Sequence, residues 1–258
     1  EPGQISQEIT KLVKHGLKIL KTFGFNDYTI YLSTQSEKYA GTVESWRKAT
    51  NTLKYVLKKL KLKYRVDPGG GVFYGPKIDI KIKDSLGREW QCTTIQFDFN
   101  LPERFEMAYI DKKGKKLKPY MIHRALLGSI ERFIGVLLEH YVGALPLWLS
   151  PEQIWIIPVG KRHIKYAKEV SKKIDEIYSR KFASKFAKIR DVIKTENETV
   201  SKKIREGEIQ KIPYLLVVGD REIKEKSVRI RKRGKGDIGI VKLDKFVERV
   251  RKEIENKK

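Results

Sequence analysis

Segment 121–134 holds a histidine and an arginine whose positions could support chemistry. Its pattern predicts a short apolar strand with His123, a break at Gly128, and an amphipathic helix with Arg132 near its N-terminal end. The helix dipole disfavours a cation there by about 0.3–1 kcal/mol. Arg132 at this position therefore indicates a bound anion, and an ordinary surface arginine on a core helix is the alternative.

A second candidate segment is 73–79, which contains Tyr74 and Lys77. By pattern it is a strand, a turn and a strand, in which Tyr74 could simply pack and Lys77 could simply be solvated. A lysine placed beside a reacting phosphate would instead neutralise the charge that develops on it, which needs no proton transfer.

The third segment, 89–105, contains a strand that is unusually polar for the interior of a sheet. Gln91, Thr94, Gln96 and Asp98 lie among aromatic and aliphatic residues, and buried amides and hydroxyls need partners, which a ligand could supply. A half-exposed strand is the alternative. Strict alternation places Gln91 and Thr94 on opposite faces, so a bulge or a strand end is required if both contact one ligand.

All three segments resemble the class IIa aminoacyl-tRNA synthetases, and specifically those of the threonyl type. Segment 121–134 is similar to their motif 3, and 89–105 is nearly verbatim. The roles that the resemblance implies are catalysis by Arg132 and Lys77, ATP binding by Gln91, Thr94 and Arg132, threonine binding by Tyr74 and Gln96, and zinc binding by His123.

The zinc site is the main departure from that resemblance. In the family, one cysteine and two histidines hold the metal, and only His123 has a counterpart in this sequence. Zinc needs three protein ligands and an open position, and the other histidines lie on predicted helices without ligand spacing. Cys92 is better interpreted as a small buried strand residue.

Motifs 1 and 2 of the class II synthetases are not found in the sequence either. We therefore expect the chain to be the C-terminal half of a catalytic domain followed by an anticodon-binding domain, and to be incomplete as a catalyst by itself.

The second half of the sequence resembles the anticodon-binding domain shared by class IIa synthetases, on segments 203–206, 212–222 and 228–231. The resemblance implies that Asn197, Glu222 and Arg231 read anticodon bases, since single-stranded bases are recognised on their edges. Arg205 and Arg229 would hold phosphates. The residues that precede Asn197 depart from the sequence that is usual in the family.

The charge of the chain is strongly one-sided, with 56 Lys and Arg against 32 Asp and Glu and a net charge of +24. Residues 151–258 contribute 31 basic and 17 acidic side chains, a net +14. This balance favours a nucleic-acid partner. A thermophile-type charged surface would explain the abundance of charged residues but not the excess of basic over acidic ones. No apolar run is long enough for a membrane span, and a single cysteine fits a reducing cytoplasm.

The site residues must be positioned by helices and strands. Those that the sequence predicts indicate an α/β (α+β) fold in two domains, 1–149 and 150–258. An antiparallel sheet with the motif 3 helix is expected first, and a smaller domain of alternating strands and helices second. The predicted helices span 5–23, 46–62, 128–141, 163–178, 200–210 and 243–254. The predicted strands span 28–32, 72–74, 78–82, 90–99, 119–123, 154–159, 188–193, 214–218, 228–231 and 237–241, with turns at 68–71 and 112–115.

The function that the resemblance implies is ligation of threonine to its tRNA with ATP and Mg²⁺, in a homodimeric enzyme with zinc. Two alternatives remain at this point. One is a non-catalytic, tRNA-binding synthetase paralogue, and the other is a sister class IIa synthetase for proline, glycine or histidine.

Overall fold

The structure is a computed structural model that describes residues 2–181 and 189–257. The chain forms two compact units, Glu1–His140 and Tyr141–Lys258. Both contain helices packed on a five-stranded sheet, which has one parallel pair of strands in the first unit and two parallel and two antiparallel pairs in the second. This confirms the predicted α/β (α+β) class. Within the described residues, no helix is both long and apolar enough to cross a membrane.

The first unit contains four α-helices and seven strands among the described residues. The helices are α1 (Ile5–Thr22), α2 (Val43–Lys59), α3 (Leu101–Arg104) and α4 (Ile130–His140). The strands are β1 (Tyr28–Ser33), β2 (Arg65–Asp67), β3 (Lys77–Lys83), β4 (Glu89–Asp98), β5 (Tyr109–Ile110), β6 (Lys116–Leu117) and β7 (Met121–Ala125).

Five of these strands form one sheet in the order β2-β1-β3-β4-β7, antiparallel except for the parallel pair β1–β2. Alternation along β3 divides the sheet into an apolar and a polar face. Ile78, Ile80 and Ile82 are fully buried, and α1 and α2 contact this sheet. Lys77 and Asp79 point to the opposite face, which carries the polar side chains of the neighbouring strands.

Local sequence sets the ends of the two long helices. The Thr42 hydroxyl accepts the backbone N–H of Ser45 at 3.2 Å and caps α2 at its N-terminus. Gly24, at φ 90°, follows the C-cap of α1 in the left-handed conformation that its missing Cβ permits. The predicted helix 5–23 agrees with this end to within one residue.

In the first unit, one predicted strand proved wrong and one observed strand was not predicted. Residues 72–74 form a turn with one isolated bridge, Val72 to Gly75, because the N–H of Gly75 bonds back to the carbonyl of Val72 at 3.0 Å. The short strand β2, next to β1, was not predicted, since Arg65–Asp67 has no apolar alternation.

The second unit contains five strands and four α-helices in its described part. The strands are β8 (Ile154–Pro158), β9 (Asp191–Ile193), β10 (Tyr214–Val218), β11 (Ser227–Lys232) and β12 (Gly236–Lys242). The helices are α5 (Ile164–Lys181), α6 (Val200–Ile209), α7 (Asp220–Glu225) and α8 (Leu243–Glu255). The sheet order is β12-β11-β10-β8-β9, with β8, β9 and β10 parallel.

This second sheet is buried on both faces. One face packs with α5 and α8 around a large cluster that includes Ile156, Leu216 and Phe246. The other face carries a smaller cluster that includes Trp155 and Leu215. The predicted strand 188–193 begins at Asp191 among the described residues, and Lys188 lies outside them. Helix α7 was not predicted, because six residues are too few for a helical period.

Candidate functional site

Three predicted site residues lie side by side across the first sheet. Backbone pairing places Lys77 of β3 opposite Gln96 of β4, and Gln96 opposite His123 of β7. Two residues further along, Asp79 pairs with Thr94. Directly paired antiparallel residues project to the same face, so these five residues form one surface, which we call the polar face.

The centre of the polar face is Asp79, a buried carboxylate that sequence reasoning missed. Lys77 Nζ lies 2.6 Å from one carboxylate oxygen, and Thr94 Oγ1 donates to the other at 2.8 Å. The Ser33 hydroxyl is 3.3 Å away. Asp79 is 2% exposed, and a buried carboxylate persists only when it is paired and hydrogen-bonded. Asp79 therefore fixes both Lys77 and Thr94 in place.

A β-bulge brings Gln91 to the same surface. Ile80 pairs with Thr93 while the next residue, Lys81, pairs with Gln91, so that Cys92 is an extra residue in β4. The side-chain amide of Gln91 then donates to Thr94 Oγ1 at 2.7 Å. The bulge that the sequence required for Gln91 and Thr94 to share a ligand is therefore present.

His123 is oriented by a second buried carboxylate, Asp98. The His123 Nε2 lies 2.8 Å from Asp98 Oδ2, and Asp98 is fully buried. Because a carboxylate can only accept, Nε2 is the donor in this contact. The Tyr74 ring packs edge-on against the imidazole, with centroids 5.4 Å apart. Burial and the negative charge of Asp98 raise the pKa of Tyr74, which keeps it a neutral hydroxyl.

An imidazole held by a carboxylate is the usual arrangement of a zinc-bound histidine. However, no group of three His, Cys, Asp or Glu side chains that could hold a metal is found among the described residues. The donor set present in this part of the chain does not by itself fit a zinc ion.

The backbone beside Tyr74 approaches β4 very closely. A Cβ on Gly75 would lie 1.9 Å from the carbonyl oxygen of Phe97, so only glycine fits there. The Asn100 amide donates to the carbonyl of Tyr74 at 2.9 Å, and the Gln96 amide donates to that of Gly75 at 3.4 Å. These contacts hold Tyr74 beside Gln96 and His123.

Arg132 lies apart from the polar face. It is the third residue of α4 and is exposed, and its guanidinium carbon lies 5.6 Å from the centre of the Trp90 ring. No ion pair joins Arg132 to any carboxylate of the described residues. Burial raises the pKa of the neighbouring Cys92 thiol to about 11, although the Arg132 charge opposes this. Because Arg132 is exposed and has no carboxylate partner in the described part of the chain, its guanidinium is accessible to an anion.

Trp90 is fixed in turn by Asp84, in the turn that joins β3 to β4. The indole Nε1–H donates to Asp84 Oδ2 at 2.8 Å, and Arg88 Nε donates to the same oxygen at 2.6 Å. The backbone N–H groups of Leu86 and Arg88 donate to Oδ1. Burial opposes ionisation, but these hydrogen bonds outweigh it and lower the pKa of Asp84 to about 2.

In the second unit, the three predicted base-reading residues have different surroundings. Glu222 is 7% exposed, and its Oε2 accepts the N–H of Gly219 at 2.9 Å at the start of α7. Arg231 contacts Glu208 of α6 at 3.1 Å and lines a cavity of about 130 Å³. Asn197 is exposed in the loop before α6. Within the described residues, no hydrogen bond or ion pair joins these three side chains.

One further polar cluster, which the sequence did not reveal, lies where β8 and β10 end. The N–H of Gly160 donates to His163 Nδ1 at 2.9 Å, and His163 Nε2 lies 3.1 Å from Asp220 Oδ1. Arg162 also contacts Asp220, at 2.5 Å. Parallel strands that end side by side bring such loops together, but only the strand order reveals which loops meet.

The fold belongs to a known class of protein. Residues 1–141 match the tRNA synthetase class II core domain (G, H, P, S and T), and residues 153–253 match an anticodon binding domain. The chain belongs to the class II aminoacyl-tRNA synthetases.

Its relatives within that class include threonine–tRNA ligases, as the resemblance predicted. The chain is 49% identical over 254 residues to a threonine–tRNA ligase of Sulfurihydrogenibium sp. and 48% identical over 256 residues to that of Aquifex aeolicus. These matches cover 98% and 99% of this chain but 38% and 39% of the relatives. A solved structure titled the RNA binding domain of threonyl-tRNA synthetase from Cryptosporidium parvum Iowa II matches with a TM-score of 0.87 at 37% identity, over 98% of this chain and 61% of that one.

Proposed function

We propose that this chain provides part of a threonine–tRNA ligase, with a catalytic part in 1–149 and an anticodon-binding part in 150–258. The observation that carries the proposal is the polar face, where Lys77, Thr94, Gln96 and His123 lie together around two buried carboxylates. In the proposed reaction the threonine carboxylate attacks the α-phosphate of ATP, and pyrophosphate leaves. The terminal ribose hydroxyl of tRNA then attacks the carbonyl of the threonyl-adenylate and loses its proton, and AMP leaves.

Lys77 is the proposed electrostatic catalyst of the first step. Its contact with Asp79 orients Nζ before substrate binds, so that little reorganisation is needed when charge develops on the phosphate. Gln91 and Thr94, joined by their mutual hydrogen bond, would contact ATP, and Mg²⁺ would accompany ATP as part of the substrate. Arg132, exposed and without a carboxylate partner in the described chain, would bind the nucleotide from α4.

Threonine would bind at the other end of the polar face. Gln96 is only 4% exposed, and its amide and the Tyr74 hydroxyl offer hydrogen bonds to a small polar substrate. A site built to hydrogen-bond a hydroxyl rejects an isostere without one, such as valine, because its own polar groups would stay unpaired. His123, with Asp98 on Nε2, would contribute one zinc ligand through Nδ1, and the other ligands would have to come from outside the described residues.

The second unit would read the anticodon of the same tRNA. Arg231 Nε is buried and lacks a hydrogen-bond partner among the described residues, and an unpaired buried donor is uncommon without a ligand. This supports base reading by Arg231, together with Glu222 and Asn197, in a domain whose basic charge attracts phosphates. By resemblance the working enzyme would be a homodimer. A single buried cysteine supports a reducing, cytoplasmic setting.

This proposal is tested by threonine-dependent exchange of pyrophosphate into ATP, measured in the full-length protein that carries this chain. Lys77→Gln should lower the exchange rate by about 10²–10³. Lys83→Gln is the matched control, because Lys83 also lies on β3, is 40% exposed, and pairs with Asp27 outside the site. Equal effects of both variants would contradict the assignment. Threonine-independent tRNA binding without any exchange would favour a non-catalytic paralogue.

A further inference from the structure

A two-stranded hairpin in the first unit carries a concentrated positive charge that the proposed chemistry does not use. Residues 109–118, which we call the lysine hairpin, comprise β5, β6 and the turn between them. Lys112, Lys113, Lys115 and Lys116 are all exposed. None of the four forms an ion pair with any described residue. The usual neutralisation of surface lysines by neighbouring carboxylates is therefore missing.

Two acidic residues at the hairpin, Asp111 and Glu103, bind groups other than the ammonium groups of these four lysines. Asp111 Oδ1 accepts the backbone N–H groups of Lys113 and Lys115, both at 2.8 Å, and so shapes the turn. Glu103 of α3 pairs with Lys118 at 2.6 Å and ties the base of the hairpin to the domain. Asp111 and Glu103 hold the hairpin in position, and the four lysines at its tip make no ion pair with the described residues.

The position of the hairpin in the chain connects it to the polar face. It lies in the connection between Asp98, the last residue of β4, and Met121, the first of β7, and these two residues pair with each other. Two residues further into the sheet, Gln96 pairs with His123. The hairpin therefore arises at the end of the sheet beside the candidate threonine site.

We propose that the lysine hairpin binds phosphate groups of the tRNA close to its reacting end. This inference rests on the proposed function, because the transfer step brings a terminal ribose, and the phosphates next to it, to the threonine site. Ammonium groups on a short, tethered hairpin suit a phosphate backbone, since they bind it as point charges without sequence preference. These phosphate contacts would add to the contacts that the second unit makes with the anticodon.

The test compares two variants with the same change of net charge. One replaces Lys112, Lys113, Lys115 and Lys116 with Gln. The control replaces Lys14 and Lys18 of α1 and Lys54 and Lys58 of α2, all exposed, on helices that pack on the apolar face. Affinity for a threonine tRNA is measured at several salt concentrations, and melting temperatures confirm that both variants fold.

The hairpin variant should bind tRNA more weakly and with a salt slope reduced by about 1–3, since each lost phosphate contact contributes about 0.7–0.9. The control variant should change the slope by less than half as much. Equal losses in the two variants, or an unchanged slope in the hairpin variant, overturn the proposal. So does a hairpin variant that binds tRNA normally but loses binding to polyglutamate, because the partner would then be an acidic protein.

Pyrophosphate exchange separates this inference from the function on which it rests. That reaction needs no tRNA, so the hairpin variant should retain the wild-type exchange rate. Absence of exchange in the full-length wild-type protein that carries this chain contradicts the proposed function, whereas normal exchange with unaltered tRNA binding in the hairpin variant contradicts only the role of the hairpin.

Discussion

The indole of Trp90 donates a hydrogen bond of 2.8 Å to the carboxylate of Asp84, and this contact fixes the ring on which Arg132 lies. Asp84 is itself held by the backbone of its own turn, at Leu86 and Arg88. A chain of contacts thus runs from a β-turn, through an aromatic ring, to the proposed nucleotide-binding arginine.

Replacement of Arg132 should affect catalysis and not stability. Arg132→Ala should lower kcat/KM for ATP by about 10²–10⁴, on the scale of one electrostatic transition-state contact. The free energy of unfolding should change by less than about 1 kcal/mol, because the side chain is exposed. Arg88→Ala is the control, since Arg88 lies over the same ring but binds Asp84. A large loss of stability with normal turnover would make Arg132 a structural residue.

Removal of the ring should weaken ATP binding by a smaller factor. A cation over an exposed aromatic face contributes about 0.5–1 kcal/mol, so Trp90→Leu should raise KM for ATP about 2–5-fold. Trp90→Phe keeps a ring face and should retain most of the affinity, although it loses the bond to Asp84. Steady-state kinetics at saturating threonine measures both. If Trp90→Leu leaves KM unchanged while Arg132→Ala raises it, the ring does not position the arginine.

The Asp84 carboxylate should make stability depend on acidic pH. Its pKa is lowered from 3.8 to about 2 in the folded chain, so its stabilising effect is present above about pH 4 and is lost as the pH falls through 2. Asp84→Asn cannot ionise, and its deficit in unfolding free energy should therefore narrow between pH 4 and pH 2. Denaturant titrations at each pH measure the difference.

Asp27→Asn serves as the control for that experiment. Its carboxylate is 75% exposed and pairs with Lys83, and such a replacement should change the unfolding free energy by less than about 0.5 kcal/mol. A deficit of Asp84→Asn that stays constant down to pH 2 would show that the carboxylate charge contributes nothing.

Two arginines of the second unit should affect tRNA binding in different ways. Arg231→Ala should cost about 1–3 kcal/mol for tRNA with a threonine anticodon and little for other tRNAs, as a base-reading contact does. Arg205→Ala should weaken all tRNAs alike and reduce the salt slope by about one. Arg205 is preferred to Arg229 here, because Arg229 already pairs with Asp237 at 2.7 Å. Equal wild-type affinity for all anticodons would exclude base reading.

The sequence predicted the strands of the polar face well, because alternation directly encodes which face a residue occupies. It placed Thr94 and Gln96 on a strand and Lys77 directly before one, and it indicated that Gln91 needed a bulge. It did not reveal Asp79 or Asp98 as the partners that hold them. Those contacts depend on which strands are neighbours, and in this sheet β3 and β7 flank β4 although 37 residues separate β3 from β7.

The wrong strand at 72–74 has a similar cause. Three apolar or aromatic residues favour a strand locally, but Gly75 must pass against the carbonyl of Phe97, and the chain turns to allow it. In the second unit, the cluster of Arg162, His163 and Asp220 joins residues 57 positions apart in the chain. No local pattern contains such a contact, so it could be found only after the strand order was known.

The extra residue at Cys92 divides β4 into two stretches of opposite phase. Pairing with β3 turns Gln91 to the side of Lys81 and Trp90 to the side of Ile82. A single inserted residue thus serves both surfaces of the sheet, since it gives an amide to the polar face and an indole to Arg132. Substitution of Cys92 by another small residue preserves this phase. If Cys92 instead paired with Lys81 in a regular strand, the two side chains would exchange faces, with the indole on the polar face and the amide on the opposite one.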